Sequence, residues 1–184
     1  MKIFAVSDIH GNASILEKAL REAGFDSNNP EHLFVGCGDY FDRGNENRRV
    51  LEFLNRLKHK VLIHGNHESM LLDALDRGWI NFCDVINYTS DTLIEFFGQE
   101  NIGAGAELPR NTAVERKLRA FLDSTVDYFE TERYVFVHGW VPVNPDAPAE
   151  GWQKRWRTAS PRDWERARWL EWPQMYREGL TLTD

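Results

Sequence analysis

Ile3-Phe4-Ala5-Val6-Ser7-Asp8-Ile9-His10-Gly11 is a short apolar run that breaks on an acid, a histidine and a glycine. Three more runs end in the same manner. Leu33-Phe34-Val35-Gly36-Cys37 leads into Gly38-Asp39-Tyr40-Phe41-Asp42-Arg43-Gly44. Val61-Leu62-Ile63-His64 leads into Gly65-Asn66-His67-Glu68, and Tyr134-Val135-Phe136-Val137 into His138-Gly139. Strands buried on both faces read as continuous Val, Ile, Leu and Phe, and open α/β sheets hold ligands just outside the carboxyl ends of their strands. Four strand ends carrying Asp, His, Asp, Asn and His imply one shared site rather than a packing pattern.

Between these runs the sequence alternates strand and helix. Ile15, Leu16, Ala19, Leu20 and Ala23 form a helical stripe over 12–23, which Gly24 stops. Asn28-Asn29-Pro30 is a turn. Val50, Leu51, Leu54 and Leu57 share one face of a second helix over 46–57, and a third helix runs through Met70, Leu71, Leu72, Ala74 and Leu75. This βαβαβ order predicts a parallel sheet with right-handed crossovers.

Residues 78–112 show no steady period. They hold Phe96-Phe97-Gly98 and Gly103-Ala104-Gly105 and read as a lid or insertion beside the site, within one domain spanning 1–184. Helical spacing returns over 112–122, with Thr112 as its cap and Glu115 three residues on. Tyr128 to Val137 reads as a hairpin around Glu132-Arg133. Residues 140–184 are rich in Pro and Trp. Pro142, Pro145 and Pro148 mark a loop, and five of the seven tryptophans follow at 152, 156, 164, 169 and 172. Ser160-Pro161-Arg162-Asp163 is a helix start with a Ser cap and Pro at the first helical position, and Pro173 ends that helix.

The bulk properties narrow the function. At 184 residues, 42% hydrophobic and 28% charged, the chain is globular in composition and long enough for a real core. A net charge of −7 argues against nucleic acid and anionic membrane surfaces as partners. No stretch approaches transmembrane length, and Asp8 and His10 interrupt the first apolar run too early for a signal peptide. Cys37, at the end of a buried strand, reads as a small core hydrophobe, and only Cys83 accompanies it. A reducing cytoplasm is the compartment these features predict.

An Asp-x-His pair at a strand end sets two donors of different type on one turn, although alone it is usually a capped turn. A second Asp from the next strand can bridge two cations through its two oxygens. Asn66 adds a neutral oxygen and His138 an imidazole. Oxygen and nitrogen without thiolate favour Mn, Fe, Zn or Mg, and two such ions about 3.5–4 Å apart support in-line phosphoryl displacement by water. The glycines beside these residues allow sharp turns and close approach to an anion. Arg43 suits a forked pairing with phosphate oxygens. His67 is placed to protonate a departing oxygen, with Asp42 orienting its ring.

Taken together and in this order, Asp8-Ile9-His10-Gly11, Gly38-Asp39-Tyr40-Phe41-Asp42-Arg43-Gly44, Gly65-Asn66-His67-Glu68 and His138-Gly139 resemble the calcineurin-like metallophosphoesterases. The Asp42-Arg43-Gly44 and His67-Glu68 spellings are similar to the serine/threonine phosphoprotein phosphatase branch, with its bacterial and phage members and the related diadenosine tetraphosphatases. The resemblance implies a four-layer α/β/β/α sandwich with mixed sheets. It implies one metal on Asp8, His10 and Asp39 and a second on Asp39, Asn66 and His138, with Mn the first choice for activity. His67, paired with Asp42, would be the general acid, and Arg43, Asn66 and His67 would contact the substrate. The expected function is hydrolysis of phosphomonoesters, phosphoserine or phosphothreonine above all. The alternatives are a dinucleoside polyphosphate hydrolase and an inactive metal- or phosphate-binding regulatory module.

The family pattern has a further Gly-His pair and another His after the His-Gly motif. This sequence has histidines at 10, 32, 59, 64, 67 and 138 and none later. The expectation is therefore a member lacking its last motif, each metal keeping three protein ligands, with Gly179-Leu180-Thr181-Leu182 resembling the approach to the absent strand. Other features read plainly. His32, His59 and His64 are ordinary turn or strand-end residues. Glu68 is either a support of the site or a helix-start acid favoured by the dipole. The Trp/Arg-rich segment reads as packing in preference to a base-stacking surface.

Overall fold

The first three apolar runs become strands β1 (Lys2–Val6), β2 (His32–Cys37) and β3 (Lys60–Ile63), joined in parallel in the order β1-β2-β3. They belong to a computed structural model that describes residues 1–98, 105–142 and 156–170. Val6 pairs with Gly36, and Cys37 with Ile63, so the three strands stop nearly level. Helices α1 (Ala13–Glu22) and α2 (Asn47–Arg56) make the crossovers. With sequential strand order, right-handed crossovers put both helices on one face. There Phe4, Phe34 and Leu62 share a core with Leu16, Leu20, Val50, Leu51 and Leu54.

The opposite face carries Val35, Cys37 and Ile63, which pack against Phe129 and Phe136. These two belong to an antiparallel hairpin of β4 (Tyr128–Glu130) and β5 (Val135–Val137). Successive strand residues point to opposite faces. Tyr128 and Val137 therefore look away from the parallel sheet, toward Trp156 of a 3-10 turn (Trp156–Thr158) and Trp164 and Ala167 of α7 (Pro161–Arg168). Helices, parallel sheet, hairpin and α7 give the α/β/β/α layering, built here from one parallel and one antiparallel sheet. Tyr128 stacks on Trp164 and meets Trp156 edge-on, so these tryptophans pack as expected, whereas Trp169 is about half exposed.

The remaining helices are α3 (Asn66–Arg77), α4 (Phe82–Ile86), α5 (Thr89–Phe97) and α6 (Ala113–Asp123). Two caps follow the sequence. The Thr112 hydroxyl accepts from the Glu115 N–H, and Ser160 and Asp163 form a capping box. The segment without a clear period is largely helical, because α4 and α5 fill 82–97. Cys37 is buried, Cys83 exposed, and both are free. Among the described residues no helix is long and apolar enough to cross a membrane. Gly103 and Ala104, Pro145 and Pro148, Trp152 and Trp172, Pro173 and the stretch 179–182 lie outside the described residues.

Candidate metal centre

The strand ends do not stop at the sheet's edge. Asp8 N–H donates to the Gly38 carbonyl at 3.2 Å, His10 N–H to Asp39 at 2.9 Å and Gly11 N–H to Tyr40 at 2.9 Å, so the loop after β1 runs along the loop after β2. Keeping this path needs left-handed backbone at Asp8, His10, Asp39, Asp42 and Arg43 (φ 53°, 44°, 55°, 71° and 66°). Among the described residues only Tyr88 and Asn111 are the other non-glycine residues at positive φ. Such conformations cost on the order of 1 kcal/mol or more each and persist where the surroundings over-determine them, as active sites do.

Close approach is enforced by glycine. A Cβ on Gly38, itself at φ 83°, would lie 2.7 Å from His138 Nδ1 and 2.8 Å from the Gly65 Cα. The loops after β2 and β3 and the end of β5 thus meet at one point.

Asp39, 3% exposed, lies at the centre. Its Oδ2 is 3.6 Å from His10 Nε2 and 3.8 Å from His67 Nε2, and its Oδ1 is 3.3 Å from His138 Nε2. His138 Nε2 is also 2.8 Å from Asn66 Oδ1. Asp8, more than half exposed, brings Oδ1 to 3.8 Å from His10 Nε2 at the rim. All five residues that the resemblance implies as metal ligands therefore converge. His10, Asp39 and His67 alone offer three ligand atoms within 4.8 Å of one another.

The hydrogen bonds behind the rings settle which nitrogen faces inward. His10 Nδ1 lies 2.9 Å from the Phe41 carbonyl and His138 Nδ1 2.8 Å from the Cys37 carbonyl. A carbonyl can only accept, so each Nδ1 carries the proton and each Nε2 of a neutral ring presents a lone pair. Burial pulls the His10 pKa below the usual imidazole range, against the Phe41 bond and the Asp39 charge, which favours that neutral form. Around Asp39 Oδ1, Asn66 Oδ1 and His138 Nε2, three acceptors face one another, and a cation between them fits this donor set. On the other side Arg43 Nη1 is 2.9 Å from His10 Nε2 and Nη2 3.2 Å from His67 Nε2, while its side chain stays at the surface.

His67, 2% exposed, holds its Nδ1 2.6 Å from Asp42 Oδ2. Two features were not evident from the residues alone. Glu68 is fully buried and accepts from the backbone N–H of Asp39 (2.7 Å), Tyr40 (2.9 Å) and Gly65 (3.0 Å), tying the loops after β2 and β3 together. Burial, and secondarily the Asp39 charge, push its carboxyl up to about 8 against these three donors. Glu68 thus supports the site as well as opening α3. Asp42 is also gripped by Thr89 and Thr92 of α5, about 50 positions downstream. Their spacing of three, which sets both hydroxyls on one helix face, was the one available signal. His64, by contrast, is turned away, bonded to Thr125 and Ser69.

This sandwich, with a buried carboxylate shared between imidazoles at the strand ends, agrees with the sequence comparison: the chain matches the calcineurin-like phosphoesterase family over residues 1–175 and belongs to it. It is similar to serine/threonine-protein phosphatase 1 of Salmonella typhimurium, 43% identical over 72 residues that cover 39% of this chain and 32% of that protein. Serine/threonine-protein phosphatase 2 of the same organism is 37% identical over 99 residues, 53% of this chain and 44% of the relative. A symmetrical bis(5'-nucleosyl)-tetraphosphatase of Xanthomonas axonopodis pv. citri is 32% identical over 73 residues, 39% of this chain and 23% of that one. The matched stretches therefore span less than half of these relatives' lengths. A solved serine/threonine phosphatase from Saccharomyces cerevisiae shares the fold, with a TM-score of 0.53 and 21% identity over 79% of this chain and 40% of that one.

Proposed function

We propose that this chain is a metal-dependent phosphoesterase that hydrolyses phosphomonoesters, with phosphoserine and phosphothreonine as the first substrates to test. One observation carries the reading: acceptor atoms of His10, Asp39, Asn66 and His138 converge with no hydrophobic reason to do so. Asp8, His10 and Asp39 would hold one ion, and Asp39, Asn66 and His138 the other, with manganese preferred over iron, zinc or magnesium. Bound as a pair, such ions supply Lewis-acid stabilisation of phosphoryl charge and a lowered pKa for water.

The chain's own residues do the rest. Arg43, exposed at the mouth, turns its forked donors to two phosphoryl oxygens, and Asn66 and His67 flank the same group. His67 delivers a proton from Nε2 to the leaving oxygen, and Asp42 on Nδ1 orients the ring and stabilises the imidazolium. No serine or cysteine serves as nucleophile, and burial pushes the Cys37 thiol up to about 11, out of the reactive range. The setting is cytoplasmic, with neither nucleic acid nor membrane as partner.

The test is manganese-dependent hydrolysis of an aryl phosphate and a phosphopeptide by the chain and by His67→Asn. The variant should bind manganese as the parent does and lose about a hundredfold or more in kcat on the phosphopeptide. Full turnover there would overturn the proton-donor role. The tetraphosphatase relative makes dinucleoside polyphosphates the second class to include, and preference for them would replace the phosphoprotein reading.

A further inference from the structure

Asp42 is fully buried at φ 71°, and its environment reaches beyond the strand-end loops. Its Oδ2 accepts from His67 Nδ1 at 2.6 Å and from the Thr89 hydroxyl at 2.8 Å, and its Oδ1 accepts from the Thr92 hydroxyl at 2.5 Å. The direction of the Thr92 bond is not free. Its Oγ1 already accepts the Asp42 backbone N–H at 3.0 Å, so its own proton goes to the carboxylate. Both threonines are fully buried.

The same helix face continues to Glu95, whose carboxylate accepts from the Asn47 N–H (3.0 Å), the Arg48 N–H (2.8 Å) and the Asn47 side-chain amide (2.7 Å). The Asn47 side-chain oxygen in turn accepts from the Asp42 N–H at 3.1 Å, the second acceptor of that donor beside Thr92. Thr89, Thr92 and Glu95, three residues apart, clamp α5 onto the loop that bears Asp42 and Arg43. Tyr88, just before Thr89, is held in left-handed backbone (φ 67°), rare for a bulky side chain and consistent with a position set by the contact.

We infer that Thr89 and Thr92 are positioning residues for proton delivery by His67. Their hydroxyls take two further acceptor sites of Asp42, one on each oxygen, and fix the carboxylate plane. With that plane held, the His67 ring bonded to it through Nδ1 keeps Nε2 turned toward the leaving oxygen. They touch neither substrate nor metal and act only through Asp42. This inference rests on the proposed role of His67 as proton donor.

The experiment uses the whole, manganese-loaded chain with Thr89→Val, Thr92→Val, the double variant and Thr92→Ser. Valine keeps the shape and removes the donor. On an alkyl phosphate, whose leaving oxygen needs the proton, each single change should lower kcat about tenfold and the double variant about a hundredfold, with KM unchanged. On p-nitrophenyl phosphate, which leaves without protonation, the loss should stay within about twofold. Thr92→Ser should restore the parent rate. Equal losses on both substrates, or a serine variant as slow as valine, would overturn the inference.

A second arm does not depend on turnover. A strong His67–Asp42 bond should give a low-field Nδ1 proton resonance that moves in the double valine variant, and an unmoved resonance would also sink the idea. Failure of the parent reading looks different. Then His67→Asn shows no leaving-group dependence, or the unmodified chain hydrolyses neither phosphate.

Discussion

The two carboxylate oxygens of Asp39 keep different company. Oδ2 faces His10 and His67, and there Arg43 already brings a cationic donor within hydrogen-bond distance of both rings. Oδ1 faces His138 and the neighbouring Asn66, with the His67 backbone N–H at 3.2 Å as its polar donor. On the first side a metal ion would compete with a guanidinium. On the second it would be the counter-charge to three facing acceptors. The contrast predicts that the two proposed sites would differ in affinity for cations, and that the Oδ1 side should fill first.

The largest test removes what the two sides share. Asp39→Asn should abolish manganese binding on both, read by calorimetric titration, and lower turnover on the order of a thousandfold, the rate equivalent of several kcal/mol of charge stabilisation. Retention of one ion at parent affinity would mean the carboxylate is not shared. Next comes the strut beneath both sides. Glu68→Ala leaves three buried backbone N–H groups of Asp39, Tyr40 and Gly65 without their acceptor and should cost about 3 kcal/mol in urea denaturation. A loss within about 0.5 kcal/mol, the range of an ordinary surface change, would show that the loops hold themselves.

What the sequence makes readable follows from this geometry. Asp8, His10, Asp39, Asn66 and His138 stand at the ends of apolar runs, so a pattern of residue types was enough to bring them together. The helix caps at Thr112 and Ser160 and the packing of Trp156 and Trp164 were readable for the same local reasons. Helix α5 was not. Its buried face includes Thr89, Ser90 and Thr92 beside Leu93, Phe96 and Phe97, and polar residues in a buried stripe erase the hydrophobic period. Glu68 stayed ambiguous because its partners are backbone N–H groups, which every residue but proline has.

Arg43→Ala then separates the two sides of Asp39. Removing the guanidinium frees the His10 lone pair, so manganese should bind about tenfold tighter on the Oδ2 side, less than the full worth of a charge-assisted hydrogen bond. Affinity on the Oδ1 side should not change, while turnover falls because phosphate loses its forked partner. Equal tightening at both sites would erase the distinction between them.

The smallest expected effect probes the Oδ1 side by itself. Cys37 ends β2, its carbonyl anchors His138, and its thiol sits under Phe129 and Phe136 of the hairpin. Alkylation of the native protein should modify exposed Cys83 and reach Cys37 only when the hairpin opens. An ion held between His138, Asn66 and Asp39 binds only the closed form, so it should slow Cys37 labelling by 1 + [Mn]/Kd, about fourfold at three times Kd, and leave Cys83 unaffected. If manganese protects neither cysteine while still binding, His138 is not among its ligands, and the Oδ1 side must be redrawn without the hairpin.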